Sequence, residues 1–312
     1  MSELASEPAS TAAANAADDG GPVTTSGTIA VANLHAQIDG MNARGESLAL
    51  IDLLILRGHV LGRIADYERA TELAERLVRG TAGGGTALLA RARTRATFHR
   101  FTDALADLDA AEGHGVDRGT LDTQRAEILQ ATGSHREAEE LYRGAAQRRP
   151  GFATLAALAV LGAERGEVTV AERLFAEARH QYRGTSPFSL AALDFRHGLM
   201  WCGRGNLPAA RDWFGASVRR VPAYASAVGK LAQIDTAQGN HQAAISRLRP
   251  LASSSDDPGH AATLARALAA AGQHREARQW RATAAARYGD LAGRHPQAFA
   301  EHAAEFRRHA AG

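Results

Sequence analysis

Gly133-Ser134-His135-Arg136-Glu137-Ala138 recurs almost unchanged as Gly272-Gln273-His274-Arg275-Glu276-Ala277. Gly239-Asn240-His241-Gln242-Ala243-Ala244 is a looser copy. Gly205-Asn206-Leu207-Pro208-Ala209-Ala210 and Gly166-Glu167-Val168-Thr169-Val170-Ala171 are looser still. The shared element is a Gly with an Ala five residues on, and the alanines are spaced 33, 39, 34 and 33 residues apart. A period in that range is the signature of an array of small structural units, each too small to bury its apolar face alone.

With the alanine in register, seven units follow, beginning near Ile51, Gly85, Gly119, Phe152, Ala191, Ala225 and Pro258. One column reads Ala70, Ala104, Ala138, Ala171, Ala210, Ala244 and Ala277. Twelve residues earlier a second reads Gly58, Ala92, Ala126, Ala159, Gly198, Ala232 and Ala265. Two columns of small residues predict two helices per unit, crossing where their backbones approach closely. A third column, seven residues after the alanine, holds Leu77, Ala111, Ala145, Ala178, Ser217, Leu251 and Ala284. Leu108, Tyr142, Phe175, Phe214 and Leu248 lie in between and are expected to fill the seam between units. Pro150, Pro187 and Pro222 are expected to close second helices, since proline stops a helix at low cost just past its end. The first two units carry Ala65 and His99 where the others have the turn glycine.

Period, small columns, turn Gly and closing Pro together resemble the tetratricopeptide repeat family, in its bacterial form, over residues 51–290, about three quarters of the chain. The resemblance implies an all-α, right-handed superhelical solenoid of about seven helix-turn-helix units. The family's aromatic residue in the first helix is met by Trp201 and replaced by Arg95, Gly162 and Asp235. The extra residues Arg183 to Ser186 predict a loop or a change of superhelical pitch. Outside the array, residues 1–27 are rich in Ala, Ser and Thr and read as a disordered tail. Val31, Leu34, Ile38 and Met41 mark a lead-in helix within 28–50, with Gly40 and Gly45 at its end. Residues 291–312 read as a capping helix over Gln297 to His309, with Phe299, Ala303 and Phe306 on one face.

The 312 residues carry 36 basic and 34 acidic side chains, a formal charge of +2. All the basic residues except Lys230 are arginines. This excess is small and evenly spread, unlike the clustered basic face of a nucleic-acid binder. The single Cys202 excludes an internal disulfide and a cysteine zinc site. The apolar run Leu48 to Leu56 is broken by Asp52 and far shorter than the ~20 residues of a membrane span. A cytoplasmic chain with no membrane contact and no cofactor is expected.

Candidate chemistry is sparse. His135, His241 and His274 share one register position, filled elsewhere by Tyr67, Phe101, Val168 and Leu207, so packing is the expected role. Asp194, His197 and Trp201 share one helical face, where a carboxylate can orient an imidazole; a satisfied, partly buried histidine is the expected reading. His302, Glu305 and His309 fall at i, i+3, i+7 but do not form a His-Glu-x-x-His zinc helix, and no metal site is assigned. Gly83-Gly84-Gly85 lacks the Lys-Ser/Thr of a phosphate loop and reads as a connector. Cys202 is a lone helical thiol with no activating neighbour in the sequence.

The surface that stacked helix pairs create remains. The resemblance implies a concave groove lined by first helices, here His59, Arg63, Arg93, Glu127, Gln130, Arg196, Leu199, Lys230, Gln233 and Arg266, with Val160 and Cys202 alongside. Arginine forks grip carboxylates bidentately, so a non-catalytic scaffold holding an acidic peptide or partner protein is the leading expectation. An accessory subunit presenting substrate or a carrier protein to an enzyme is the second, and a metal enzyme using the terminal His/Glu residues the third. Nucleic acid ranks last.

Overall fold

The computed structural model describes residues 22–45, 47–80 and 84–310. Among them, every regular element is helical. A lead-in helix α1 (Gly27–Arg44) precedes seven helix pairs: α2 (Ser47–Leu61) and α3 (Ile64–Gly80), α4 (Gly85–Thr97) and α5 (Phe101–Gly113), α6 (Arg118–Ala131) and α7 (His135–Arg148), and α8 (Phe152–Glu164) and α9 (Val168–Gln181). Then come α10 (Pro187–Gly203) and α11 (Leu207–Arg220), α12 (Ala225–Ala237) and α13 (His241–Ser254), and α14 (Pro258–Ala270) and α15 (His274–Arg294), before the last helix α16 (Pro296–Ala310). Of the tail expected over 1–27, residues 1–21 lie outside the described residues. Residues 22–26 carry no helix, and Thr25 N–H donates to the Thr185 carbonyl.

The two small columns are where the paired helices touch. Ala70, Ala104, Ala138, Ala171, Ala210 and Ala244 are fully buried, and Ala277 nearly so. In the partner column a Cβ on Gly58 would lie 2.6 Å from the Tyr67 ring, and one on Gly198 2.6 Å from the Phe214 ring. Glycine therefore stands where an aromatic side chain of the second helix fills the crossing. Tyr142, Phe175, Phe214, Leu108 and Leu248 are buried in the seams as expected.

Turn chemistry explains why the first two units form without the glycine of the motif. Gly133, Gly166, Gly205, Gly239 and Gly272 all take positive φ, between 74° and 84°, which glycine adopts without steric cost. In the second unit His99 occupies the same position at φ 58°. In the first, the turn is made three residues early by Gly62, at φ 64°.

Three expectations are corrected. Pro187 does not close a second helix: it opens α10 at its first turn, six residues after α9 has ended. Proline fits there because its missing N–H would have no helical partner. The extra residues before it, Arg183 to Ser186, carry no helix, as the expected loop requires, and α10 beyond them has 17 residues against 13 in α4, α8, α12 and α14. Residues 291–294, read with the capping segment, instead continue α15, which runs through Gly289 and Gly293 for 21 residues. Gly40, similarly, is internal to α1, and only Gly45 ends it, in the left-handed region at φ 70°.

Arginine clamps buried aspartates, within a unit at Asp66 and Asp107 and between units at Asp194 and Asp235. Asp66 receives a fork from Arg57, with both bonds at 2.7 Å. Asp107 is held by Arg91 and Arg95, Asp194 by Arg179 and Arg220, and Asp235 by Arg211 and Arg247. Each of these aspartates is nearly or fully buried. Arg95 and Asp235 occupy positions where the repeat pattern has an aromatic residue, so an ion-paired clip replaces ring packing there.

The array closes on itself. Leu34, Ile38, Leu50, Ile51 and Leu54 of α1 and α2 share one core with Phe188, Ala191 and Phe195 of α10 and with Ala227 and Leu231 of α12. Ser255 donates to the Gly62 carbonyl, and Asp256 accepts from the N–H groups of Ile64 and Ala65 at the start of α3. From the other end, the His295 ring stacks on Phe98 at 3.7 Å and meets Glu68, which Arg294 also pairs. Leu291 is buried with Ile64 and Phe98. The C-terminal helices thus pack back onto the first two units.

Candidate functional site

Closure divides the concave face into two chambers. The first, of about 520 Å³, is lined by Asp52, Ile55 and His59 of α2, Arg93 of α4, Gln124 and Glu127 of α6, and Arg196 of α10. Each is set on the inward side of its helix by the small-residue crossing behind it. The second, of about 610 Å³, is lined by Lys230 and Gln233 of α12, His260 and Arg266 of α14, Arg281 and Tyr288 of α15, and His302, Glu305 and Phe306 of α16.

The first chamber is an open concavity, in which His59, Glu127 and Arg196 each keep exposed surface. The His59 ring faces the chamber and meets the Tyr224 hydroxyl at 2.7 Å. Desolvation by the surrounding protein, and after it the Arg196 cation, push its pKa from 6.5 down to about 4. Burial pushes the Tyr224 hydroxyl up to about 12 against the opposing pull of Arg196. Desolvation likewise raises Glu127, although Arg93, Gln124 and Arg196 all favour its charged form. Arg93 pairs with Asp52 at 3.1 Å. Among the described residues Arg196, Lys230, Arg266 and Arg281 have no carboxylate partner within ion-pair distance. Arg266 donates only to the Thr263 hydroxyl, at 3.3 Å. The second chamber therefore carries a cationic excess, Lys230, Arg266 and Arg281 against Glu305, whereas in the first Arg93 and Arg196 face Asp52 and Glu127.

Not every residue expected in the groove reaches a chamber. His59, Arg93, Glu127 and Arg196 line the first, and Lys230, Gln233 and Arg266 the second. Arg63 lies beside Asp66 at 3.7 Å, at the unit 1 turn. Gln130 donates to Glu164 and accepts from Tyr142, joining units instead of facing a ligand. Leu199 and Cys202 are covered by the core that α1 and α2 complete, and Val160 packs with Phe175. Arg281, Tyr288 and Phe306 were not legible as lining residues, because they come from α15 and α16, beyond the first helices of the array. The one sequence signal was the shared face of His302 and Glu305.

The other candidate clusters resolve into structure. Asp194 does not orient His197; it is locked between Arg179 and Arg220. The His197 ring is sandwiched between Phe175 at 4.4 Å and Trp213 at 3.9 Å, and Glu172 meets both His197 and the Trp201 indole. Burial lowers the His197 pKa despite Glu172. His135 and His241 are half-buried, but His274 is exposed, so the packing role fails at that position. The side chain of His309 lies outside the described residues, and among those described no group of three or more His, Cys, Asp and Glu is arranged to hold a metal ion. Nor is any described helix long and apolar enough to cross a membrane.

These lowered histidines set the response to acid. A histidine whose folded pKa lies below 6.5 binds fewer protons when folded than unfolded, so stability falls as pH drops from 6.5 towards the folded value. His59, His99, His197, His260 and His295 all act in this sense. Glu127, raised, acts oppositely, since its folded form takes a proton first. With five histidines against one raised carboxylate, the urea midpoint is expected to be lower at pH 5 than at pH 7.5. His59→Gln is expected to reduce that difference. An unchanged midpoint over this range contradicts the assignment.

Paired helices at a period near 34 residues, crossing at small side chains and stacked around a concave interior, define a tetratricopeptide-repeat solenoid. No protein-family model and no curated relative matches the sequence. Solved structures do. A chain of the APC/C hetero-tetramer Cut9–Hcn1 is similar at 14% identity with a TM-score of 0.52, over 81% of this chain and 52% of that one. Human IFIT1, solved as a dimer with PPP-AAAA, is similar at 19% identity with a TM-score of 0.54, over 70% of this chain and 54% of that one. A tetratricopeptide repeat protein from Parabacteroides merdae aligns at 15% identity over 78% of this chain and 92% of its own, with a TM-score of 0.47. The chain thus spans about half the length of the first two, and the likeness is one of fold.

Proposed function

We propose that this chain is a non-catalytic scaffold whose two chambers hold an acidic segment of a partner protein. One observation carries the reading: Lys230, Arg266 and Arg281 line one concave space with Glu305 the single carboxylate in its lining, and Arg196 lines the other, with none of the four cations in an ion pair among the described residues. Cations gathered along a concave wall add their fields and favour an incoming anion more strongly than scattered surface cations do. An arginine fork also fits a carboxylate in two parallel bonds. The walls are held by the closure of the array, so a ligand binds with little ordering of the receptor.

The test is fluorescence-anisotropy titration with labelled acidic and neutral peptides of equal length, on the wild type and on Arg196→Glu/Lys230→Glu/Arg266→Glu. Acidic peptides are expected to bind the wild type and to lose at least tenfold in affinity on the variant, with helicity unchanged. Equal affinity for both peptides, or for both proteins, refutes the reading. A third arm with single-stranded RNA separates a general polyanion surface from a peptide site, because phosphate contacts weaken steeply with salt.

A further inference from the structure

Away from the chambers, a polar cleft of about 350 Å³ lies where the start of α1 meets the ends of α9 and α11. Three guanidinium groups line it, those of Arg179, Arg219 and Arg220, with Asp194 the one carboxylate among its lining residues. Asp194 is already taken up by Arg179 Nη1 at 2.5 Å and Arg220 Nε at 2.7 Å. Arg219 has no ion pair among the described residues and is exposed.

Into the same cleft opens the N-terminus of α1, an 18-residue helix with no acidic residue in its first turn. Its N-cap Ser26 makes no side-chain capping bond, and the hydroxyl-bearing Thr24 and Thr28 lie beside it in the lining. The first N–H groups of a helix have no intrahelical partner and carry partial positive charge. With Asp194 answering only Arg179 and Arg220 in its buried clip, the helix end and Arg219 leave a local positive excess that an anion would offset. The helix start is also pinned in place, because a Cβ on Gly27 would lie 2.1 Å from the Arg220 carbonyl oxygen.

Independent support comes from two unpartnered donors in the wall. Arg179 is only 9% exposed and Trp213 only 3%. Yet Arg179 Nη2 and Trp213 Nε1 are buried with no hydrogen-bond partner. Arg179 lies over the Trp213 ring at 4.9 Å, which stiffens both side chains. Buried donors are nearly always satisfied in native proteins, and an orphan points to an absent partner.

We propose that this cleft binds a phosphate group, supplied as free inorganic phosphate or as a small phosphomonoester. Oxygens of a tetrahedral dianion match the guanidinium forks and the first-turn N–H groups together. The bound group would answer the surplus charge and fasten α1 to units 4 and 5.

Isothermal titration of the full chain with inorganic phosphate and with phenyl phosphate, at ionic strength matched with chloride, tests this. Saturable binding is expected, at least tenfold weaker in Arg219→Gln, whose exposed side chain has no ion pair to lose. Tighter binding of phosphate identifies the free anion, and tighter binding of phenyl phosphate the ester. Trp213→Phe keeps the ring stack and removes the orphan donor, and a further loss is expected. Absence of saturable heat with both anions overturns the proposal, as does equal affinity in wild type and both variants. The chamber variant Arg196→Glu/Lys230→Glu/Arg266→Glu is expected to bind phosphate normally; loss in that variant alone places the anion in the chambers and overturns this site.

Discussion

Asp194→Ala is expected to lower the free energy of unfolding by about 3–5 kcal/mol, the cost of removing one partner from a buried ion pair. Asp194 is fully buried, and its two oxygens each receive one guanidinium, from Arg179 of unit 4 and Arg220 of unit 5. Without it, two largely buried cations face each other with nothing between them. The cost comes from those stranded charges more than from the lost attraction, since desolvating both ions already cancels much of the attraction. A double variant in which Asp194 and Arg179 are both replaced by Leu is therefore expected to be less damaged than Asp194→Ala alone. Urea unfolding followed by circular dichroism measures both, and a loss under about 1 kcal/mol for Asp194→Ala would show that water reaches the clip.

The second large effect is Phe175→Ala. Phe175 is fully buried between α8, α9 and α10, and its ring covers one face of His197. Truncation removes the apolar area and leaves a cavity, together about 3–5 kcal/mol. Because the opened space adjoins an imidazole held neutral by burial, water entering it is expected to raise the His197 pKa towards 6.5. Unfolding at pH 7.5 and pH 5 then shows a larger loss at pH 7.5 than at pH 5. A uniform loss at both values would mean that the site collapses and stays dry.

Both predictions concern seams between units, which were the most legible part of the chain. The small columns announced the helix crossings because close backbone approach admits only Gly, Ala or Ser, whatever surrounds it. The seam residues Tyr142, Phe175 and Phe214 were legible for the same local reason. The clips were half visible: Arg95 and Asp235 stood out as departures from an aromatic position, but nothing in their spacing named Asp107, Arg211 or Arg247 as partners. Gly62 escaped notice because the first unit turns three residues early; His99 was seen at the turn position, but a histidine in the left-handed region has no sequence signature.

The groove was legible only where it depended on a single unit. Register placed Arg93, Glu127 and Gln233, each just after the small column, on the inner side of their helices, with Arg196 and Lys230, two residues before it, alongside. Leu199 shares that register, yet it is covered, since α1 and α2 seat on α10 and α12. That contact joins residues some 150 positions apart, and its strength lies in complementary apolar faces, not in any periodic pattern.

Local repetition, then, determined the helix pairs, their crossings and their inward-facing register, because each unit packs mainly against its neighbours and the same short-range constraints recur. Tertiary structure alone decided that the array closes, that His295 stacks on Phe98, that two chambers replace one groove, and that three arginines meet the start of α1. Those outcomes depend on small rotations accumulated over seven units, and no single unit's sequence encodes their sum.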